Sequence, residues 1–261
     1  MTKFHSIDTG FLMGDGGIMF GAVPKKFWAA KYPCDENNMS SMAMRAVFIE
    51  TENHKIIVDT GAGDKHLSKI KYYKPHEMKD LREEIGKLGV SPEEITDVVN
   101  SHLHFDHCGG NTVANEKGEI VPAFPNAVYH VSLAQWENYR KPTTFERLSF
   151  FADNIEPVLD AGQLHRVPSD TELFDGIHLK LYDGHTPGQI AVFFDTDDER
   201  FVYAGDIIPS SVHCYHSCLC AYDNNLTLAM DEKKRLYDLA KAENRTLLFY
   251  HDSYTPRAKA R

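Results

Sequence analysis

Four apolar stretches of this chain each end in a histidine or an aspartate. VVNSH ends at His102, LYDGH at His185, YAGD at Asp206 and LLFYH at His251. A strand fixes the backbone of its last residues while the following loop bends away, so side chains at such tips converge in a cleft. We therefore expect a set of strands that gathers coordinating side chains at their C-terminal tips.

Predicted strands and amphipathic helices are mixed along the chain. Runs rich in β-branched residues predict strands at 43–50, 55–59, 96–101, 127–131, 177–183, 189–195, 200–206 and 246–251. Apolar spacing predicts helices at about 75–88, 132–139, 145–154 and 231–243, and Ser91 with Glu94 forms a capping box. Strands that are apolar on both faces, combined with such helices, indicate an α/β fold with helix-covered sheets.

The charge of the chain limits its partners. Its 261 residues include 28 Lys and Arg against 38 Asp and Glu, a formal net charge of −10, which repels phosphate backbones and anionic membranes. We expect a single domain over 1–261, with no nucleic-acid or membrane partner. Neither a membrane span nor a signal-peptide pattern is readable, and the five cysteines are odd in number and few, so we expect a cytoplasmic protein with reduced thiols.

The stretch SHLHFDHCGGN, residues 101–111, concentrates coordinating groups and is called the histidine loop below. The alternating residues His102 and His104 can converge on one metal ion, while Asp106 and His107, past a turn, face a second. Imidazole and carboxylate ligands without a thiolate suit divalent ions, for which we expect Zn²⁺, with Mn, Fe or Co as alternatives.

Two ions need more ligands than one loop offers, and the later strand ends supply them. The two sites share Asp206 as a bridging ligand, and their own ligands are His102, His104 and His185 at one site and Asp106, His107 and His251 at the other. The remaining positions can take a shared water, whose pKa falls toward neutrality beside divalent cations, so that hydroxide is present near pH 7.

These motifs resemble those of the metallo-β-lactamase fold superfamily. The His-x-His-x-Asp-His run, the GHTPG turn around His185, the AGD around Asp206 and the late His251 are similar to its metal motifs and come in the same order. The resemblance implies a four-layer αββα sandwich, with two mixed sheets flanked by helices and both metals in a cleft at one edge of the sheets.

Within the superfamily the chain is similar to a branch with N-acyl-homoserine lactonases and methyl parathion hydrolase-like enzymes. HLHFDHCGGN resembles the lactonase form of the loop, and residues 15–28, 56–65 and 205–236 also look like that branch. The resemblance implies a dinuclear metal-dependent hydrolase whose metal-bridging hydroxide attacks a lactone or ester such as an N-acyl-homoserine lactone, which is a quorum-quenching activity.

Two carboxylates have expected roles in such a reaction. Asp106 is the candidate general acid/base, because it can take the proton of the hydroxide and pass it to the leaving alkoxide. Asp59 in VDTG would brace the histidine loop and fix the orientation of its rings, although an aspartate before glycine can also be only a turn former. The best-studied lactonases place a tyrosine three residues after the bridging aspartate, where this chain has Pro209; Tyr222 or His213 could take its place.

The candidates for a substrate pocket are Met19, Phe20, His213 and Tyr222. Met19 and Phe20 are most simply core residues, and the alternative is an apolar wall for an acyl chain. His213 begins the stretch HCYHSCLC (213–220), which is expected to flank the mouth of the cleft. A further metal site in this stretch is an alternative, but its spacing fits no regular CxxC pair. Cys108 is expected to be a small buried filler.

Other functions stay open. The same site could hydrolyse a phosphotriester or an aryl ester, and the chain could also be a non-catalytic metal-dependent ligand-binding protein. His104 argues against flavo-diiron oxygen reductases, which usually have a glutamate there, and the acidic charge argues against nucleases. The expected partner is a small-molecule substrate. The sequence leaves the oligomeric state open, a homodimer included.

Overall fold

The computed structural model describes residues 2–174 and 176–261. They form two compact units, one made of residues 2–10 and 44–169 and the other of residues 11–43 and 170–261. The expected single domain over 1–261 stays a prediction. Within the described residues, no helix combines the length and the apolar composition needed to cross a bilayer.

The elements follow one another in a mixed order along the chain. The strands are β1 (Lys3–Asp15), β2 (Met39–Glu50), β3 (Lys55–Val58), β4 (Asp97–Val99), β5 (Thr112–Ala114), β6 (Ile120–Pro122), β7 (Val128–Ser132), β8 (Leu164–Val167), β9 (Thr171–Phe174), β10 (Ile177–Tyr182), β11 (Gln189–Asp195), β12 (Arg200–Tyr203), β13 (Thr246–Leu248) and β14 (Arg257–Lys259). The helices are α1 (Gly16–Phe20), α2 (Lys25–Trp28), α3 (Leu81–Gly86), α4 (Phe105–Cys108), α5 (Leu133–Arg140), α6 (Glu156–Asp160) and α7 (Leu226–Ala242).

The first unit is built on a mixed sheet with the strand order β1-β2-β3-β4-β7-β8. β2 and β3 pair antiparallel, whereas β3, β4, β7 and β8 pair in parallel. Parallel strands are usually covered on both faces, and the residues of β4 are all buried. The core of this unit includes Phe48, Ile57, Val98 and Tyr129.

The second unit is built on another mixed sheet, with the order β14-β13-β12-β11-β10-β9. β12 and β13 pair in parallel, and the other pairs are antiparallel. Leu236 and Ala240 of α7 pack in one core with Val202, Leu247 and Phe249. The predicted α/β fold class, with two mixed sheets and flanking helices, is confirmed.

Two predicted helices are wrong in extent. The helix predicted at 75–88 is only α3, because Glu77 has a φ of +49° and interrupts any helix before it. α3 then begins where the Asp80 side chain accepts a hydrogen bond from the Arg82 amide over 2.8 Å. The helix predicted at 231–243 begins earlier, at Leu226, because Asn225 caps α7 by accepting from the Leu228 amide over 3.1 Å.

No α-helix covers the described residues 145–154, which the sequence predicts to be helical. The segment contains two short 3-10 turns, Arg147–Ser149 and Ala152–Asn154. Phe150 and Phe151 between them are extended. The Phe150 ring packs against His104 at 5.4 Å, and the Phe151 ring packs against Phe105 at 5.2 Å, both between centroids. Contacts with the histidine loop therefore override the local helical pattern.

Candidate metal centre

Each predicted ligand that follows a strand lies three residues beyond the last residue of that strand. His102 follows Val99 of β4, His185 follows Tyr182 of β10, Asp206 follows Tyr203 of β12, and His251 follows Leu248 of β13. The sequence predicted these side chains as the last residues of their strands, whereas in the structure each strand ends three residues earlier. A short lead-in loop is needed because the backbone must turn before the side chain can leave the sheet.

The first unit brings four of the predicted ligands together in the histidine loop. The ring of His102 lies 4.4 Å from that of His104 and 4.0 Å from that of His107, between centroids. The coordinating atoms of His102 and His104, of His102 and His107, and of Asp106 and His107 lie within 4.8 Å of each other. In the single turn of α4 the amides of His107 and Cys108 donate to the His104 carbonyl over 3.0 and 3.1 Å, and this turn brings His107 beside His102.

Asp59 holds the start of this loop from the end of β3. Its carboxylate accepts from the Ser101 amide over 2.7 Å and from the Ser101 hydroxyl over 2.6 Å, and Nδ1 of His107 lies 2.8 Å from Oδ2. With Nδ1 of His107 held in this way, coordination by that ring would use Nε2. The arrangement is that of a buried acid that orients an imidazole ring.

His104 is oriented by a glutamate that sequence reasoning missed. Nε2 of His104 lies 2.8 Å from Oε1 of the buried Glu146, and the Asn138 side-chain amide donates to Oε2 over 2.9 Å. Coordination by His104 would therefore use Nδ1. Glu146 is 42 residues further along the chain, and no spacing rule in the sequence connects it with the loop.

The end of the histidine loop is held by Lys65, which follows Asp59 in the same VDTGAGDK stretch. Nζ of Lys65 donates to the carbonyl of Gly109 and, over 2.6 Å, to that of Thr112; burial lowers the pKa of this lysine. A Cβ on Gly109 would lie 2.0 Å from the Ala62 carbonyl oxygen, so only glycine fits there. Cys108 is fully buried, and burial raises the pKa of its thiol.

The second unit brings the other three predicted ligands together around Asp206. Oδ2 of Asp206 lies 3.6 Å from Nε2 of His185, and Oδ1 lies 3.2 Å from Nε2 of His251. The other nitrogen of each ring is held by the protein: Nδ1 of His185 lies 2.9 Å from Oδ1 of Asp223, and Nδ1 of His251 donates to the Ala43 carbonyl over 2.9 Å. Asp206 thus offers one oxygen toward each imidazole, the arrangement that a bridging ligand requires.

The His185 loop is fixed by residues that the sequence did not single out. Oε2 of Glu232, on α7, accepts from the amides of Asp183 over 2.9 Å and Gly184 over 2.7 Å. The amide of Asn224 donates to the His185 carbonyl over 3.0 Å. A Cβ on Gly184 would lie 2.3 Å from Cα of Ala229, so α7 packs directly on the turn before the ligand.

The four candidate pocket residues lie in different surroundings. Met19 and Phe20 are buried, and Phe20 stacks on Trp28 at 4.6 Å and on His213 at 5.5 Å, as expected of core residues. Nε2 of His213 donates to the Met19 carbonyl over 2.8 Å, and burial lowers the pKa of His213 to about 4. Tyr222 is partly exposed and meets the His185 ring edge-on at 5.5 Å. Their roles in substrate binding stay predictions.

The Cys- and His-rich stretch 213–220 is held by a buried lysine. Nζ of Lys233, on α7, donates to the carbonyl of Tyr215 over 3.0 Å and to that of Cys218. Sγ of Cys220 lies 3.4 Å from Nε2 of His213. Among residues 2–174 and 176–261 this stretch contributes to no group of three coordinating side chains, so the alternative of an additional metal site is not supported.

The donor set in each unit fits divalent metal ions. Imidazole and carboxylate are ligands that zinc and neighbouring transition metals accept, and metal-binding histidines characteristically have their second nitrogen held by a carboxylate or a carbonyl. His104, His107 and His185 each meet a carboxylate in this way, and His251 meets a carbonyl. The rings are therefore oriented as metal ligands need to be.

The chain is similar to metal-dependent hydrolases over most of its length. An N-acyl homoserine lactonase of Bacillus thuringiensis is 25% identical over 215 residues, which cover 78% of this chain and 79% of that protein. The structure of a probable metal-dependent hydrolase from Staphylococcus aureus, 26% identical, matches with a TM-score of 0.91 and covers 99% of this chain and 92% of that one. AidC, a dizinc quorum-quenching lactonase solved with a product, is 20% identical with a TM-score of 0.79 over 99% of this chain and 90% of its own, and this likeness concerns the fold.

The family match covers more than half of the chain. Residues 45–241 match the model of the Metallo-beta-lactamase superfamily, and this range contains the histidine loop, His185 and Asp206. The chain therefore belongs to the metallo-beta-lactamase superfamily, and it is a metal-dependent hydrolase.

Proposed function

We propose that this hydrolase opens the ester bond of a lactone, with N-acyl-homoserine lactones as the leading substrate class and quorum quenching as the resulting activity. The observation that carries the proposal is the likeness to the B. thuringiensis N-acyl homoserine lactonase, which extends over nearly the same share of both chains. The cytoplasm is the location we propose for it.

We further propose that seven side chains hold two divalent ions, with Zn²⁺ first and Mn, Fe or Co as alternatives. Asp206 would bridge the ions, and the remaining ligands would be His102, His104 and His185 for one ion and Asp106, His107 and His251 for the other. Support comes from the order of the motifs and from the ring orientations within each unit. Such ions supply acidified water near neutral pH and polarise the substrate oxygen.

Asp106 is the proposed general acid/base. It lies in the first turn of α4 and is partly exposed, unlike the buried His107 beside it, so its carboxylate can reach a substrate. As water oxygen bonds to the lactone carbonyl carbon, Asp106 takes the proton from that water. When the ring C–O bond breaks, Asp106 returns the proton to the alkoxide oxygen, and a hydroxy acid leaves.

Tyr222 is the proposed hydrogen-bond donor to the substrate carbonyl, in place of the tyrosine that Pro209 replaces. Its ring lies against the ring of His185, and it is partly exposed. His213 is the weaker candidate because both of its ring nitrogens are engaged inside the protein, Nδ1 with the Ser210 hydroxyl at 2.7 Å and Nε2 with the Met19 carbonyl.

A phosphotriester or an aryl ester is the second candidate substrate, and Pro209 is the observation that favours it. Without the lactonase tyrosine, this chain lacks at position 209 a hydrogen-bond donor that would favour a lactone carbonyl over other substrates. The proposed metal ligands would serve either reaction equally, since a phosphoryl oxygen can be polarised in the same way as a carbonyl oxygen.

The test is a substrate panel on protein loaded with zinc, manganese or cobalt in turn. Proton release is followed with short- and long-chain N-acyl-homoserine lactones, a simple δ-lactone, an aryl ester and a phosphotriester. Fast ring opening that improves with acyl length is the expected result. Preference for the phosphotriester or aryl ester would contradict the lactonase proposal and leave the hydrolase standing.

The Asp106→Asn variant separates an enzyme from a metal-dependent binding protein. We expect Asp106→Asn to lose turnover by at least about 100-fold, since a positioned acid/base contributes on that order, with its metal content measured on the same sample and retained. A wild-type protein that binds lactones without turning them over would support the binding protein instead.

A further inference from the structure

A cavity of about 450 Å³ opens on the second unit beside α2. Ligand pockets for small molecules fall in the range of roughly 300–1,000 Å³, so the cavity has the size of a ligand site. It is lined mainly by apolar and aromatic groups, among them Val23, Phe27, Trp28, Val212 and Tyr215, and Lys31 is the charged residue of the lining. No residue in this set belongs to the proposed metal ligands or to the candidate pocket residues named above.

The walls of this cavity expose aromatic surface that folding leaves uncovered. Phe27 is 58% exposed and Tyr215 is 53% exposed, and exposed aromatic groups that line a concave surface mark a binding site. The floor is packed against the core: Trp28 is buried, and its ring stacks on Phe20 at 4.6 Å. A packed apolar floor favours an apolar ligand because its side chains lose little conformational freedom on binding.

The segment that forms one side of the cavity, residues 16–34, is positively charged, in contrast to the chain as a whole, and its three lysines are called the rim below. Residues 16–34 contain three lysines and no Asp or Glu, and residues 212–218 of the opposite wall also contain no acid, whereas the net charge of the chain is −10. All three lysines are exposed. They are Lys25, Lys26 and Lys31, and the salt bridges in the described part of the chain involve none of them.

Each of the three ammonium groups lies near an aromatic ring that lines the cavity. Nζ of Lys31 donates to the Tyr215 hydroxyl over 2.8 Å and lies 4.6 Å from the centre of that ring. Nζ of Lys26 lies 5.0 Å from the Phe27 ring, and Nζ of Lys25 lies 6.0 Å from the Trp28 ring. Cation–π contacts of this kind hold a charge near an apolar wall.

We propose that this cavity binds a single-chain anionic amphiphile, such as a medium-chain alkyl carboxylate. The alkyl chain lies between Phe27, Trp28 and Tyr215, and the carboxylate is paired with the lysines at the rim. A second copy of the chain fits less well, because two such rims facing each other across a two-fold axis would bring like charges together. An anionic bilayer also fits less well, because an extended anionic surface would meet the net charge of −10 of the whole chain, whereas a single carboxylate meets mainly the lysines.

The test compares octanoate with 1-octanol, which has the same chain length and no charge, by isothermal titration calorimetry on the full chain. We expect octanoate to bind about tenfold more tightly at low salt, and this preference to shrink as salt screens the rim. The triple variant Lys25→Gln, Lys26→Gln, Lys31→Gln should abolish the preference. Phe27→Ala, a change at an exposed position, should weaken both ligands.

The control variant is Lys69→Gln, Lys71→Gln, Lys74→Gln, which removes the same charge from three exposed lysines of the first unit. It should leave the preference for octanoate unchanged. The proposal is overturned if octanol binds as tightly as octanoate, or if both triple variants act alike. It is also overturned if the face instead pairs two chains in a dimer that Phe27→Ala dissociates in sedimentation, or binds phosphatidylglycerol vesicles but no octanoate.

Discussion

Asp59 has a backbone conformation that few residues other than glycine adopt. Its φ is +54°, and its side chain is fully buried. Aspartate and asparagine tolerate this left-handed region better than most residues, and such conformations persist where surrounding contacts determine them, often at functional sites. Here the hydrogen bonds from Ser101 and the contact with His107 fix the carboxylate, so the strained backbone and the brace of the histidine loop are one feature.

Asp59→Asn tests this brace with little change in shape. Asparagine tolerates the same backbone region, but its amide nitrogen would replace a carboxylate oxygen that now accepts a hydrogen bond from Ser101 or His107. We expect metal affinity to fall by about 10- to 100-fold, measured by competition with a chromophoric chelator. Asp64→Asn, an exposed position in the same stretch, is the matched control. Wild-type metal affinity in Asp59→Asn would contradict the proposed role.

Tyr222→Phe tests the substitute for the missing lactonase tyrosine. Phenylalanine keeps the ring against His185 and removes only the hydroxyl. If that hydroxyl stabilises charge on the lactone carbonyl, kcat/KM should fall by about 100-fold, mainly in kcat, at unchanged metal content. Tyr254→Phe, which keeps the ring contact of that exposed tyrosine with Tyr32, should retain full activity. Equal turnover in Tyr222→Phe would remove Tyr222 from the mechanism.

At the scale of elements, α7 is the helix that organises the ligand loop of the second unit. Its buried face carries Ala229, Leu236 and Ala240, as in any amphipathic helix, but also Glu232 and Lys233. Burying a charged side chain is costly unless it is hydrogen-bonded, and both side chains bond loop backbone. The helix therefore uses its two buried charges to fix the turn before His185 and the stretch 213–220.

Glu232→Ala should loosen His185 without changing any ligand. Two backbone amides, at Asp183 and Gly184, would lose their acceptor, and we expect about tenfold weaker metal binding. Glu232→Gln should restore much of the loss, because an amide oxygen can accept both hydrogen bonds. Asp231→Ala, an exposed position one residue earlier on α7, is the control. The role of Glu232 would be purely electrostatic, contrary to our expectation, if Gln were as damaging as Ala.

Asp97 at the start of β4 joins this strand to β7 and to the turn between β2 and β3. Nε2 of His130 lies 2.7 Å from Oδ1, and Nδ1 of His54 lies 2.9 Å from Oδ2, to which the Thr96 hydroxyl also donates. Burial alone would raise the pKa of this carboxyl, but these hydrogen bonds outweigh it and hold the pKa below its ordinary value of 3.8. The ionised form of Asp97 therefore stabilises the folded state.

The stability that Asp97 provides should depend on pH in a defined direction. Because its pKa is lower in the folded state, the contribution is present above the unfolded pKa near 3.8 and is lost as pH falls through the folded value. Asp97→Asn should cost about 1–3 kcal/mol in urea unfolding at pH 7, and the difference from wild type should shrink below pH 4. Asp197→Asn, on an exposed turn, should show no such difference. A gap that widens in acid would contradict this assignment.

The predictability of the elements depended on how local their causes are. The runs of β11 and β3 are apolar because both faces are buried, and such runs are readable in the sequence. β1 was missed although its burial alternates from Leu12 to Asp15, a period-two signal that its glycines weaken. The segment 145–154 was misread because its phenylalanines pack on the histidine loop, and periodicity carries no information about a partner 40 or more residues away.

At the scale of the whole molecule, the seven candidate ligands were readable in the sequence, whereas among the residues that hold them only Asp59 was singled out. Motif spacing singled out all seven candidate ligands, since metal chemistry restricts the residue types at those positions. Glu146 and Asp223 hold His104 and His185 from 42 and 38 residues away, and isolated acidic residues are too common for the sequence to mark them. One signal in the sequence could have pointed to a further support: the pair of charges at 232 and 233 interrupts the apolar face of α7.

Metal removal should destabilise the whole fold, because bound ions stabilise only the folded state. Free metal at about 100 times its Kd adds roughly 2.7 kcal/mol for one site, which for a chain of this size corresponds to about 5–10 °C in Tm. We therefore expect a chelator to abolish activity and to lower Tm by at least that amount, and added zinc to restore both. Chelator already saturated with zinc is the control and should change neither. An unchanged Tm after metal analysis has verified removal would contradict the proposal that the seven side chains hold the ions, because ions bound at a site that exists only in the folded chain must stabilise that fold.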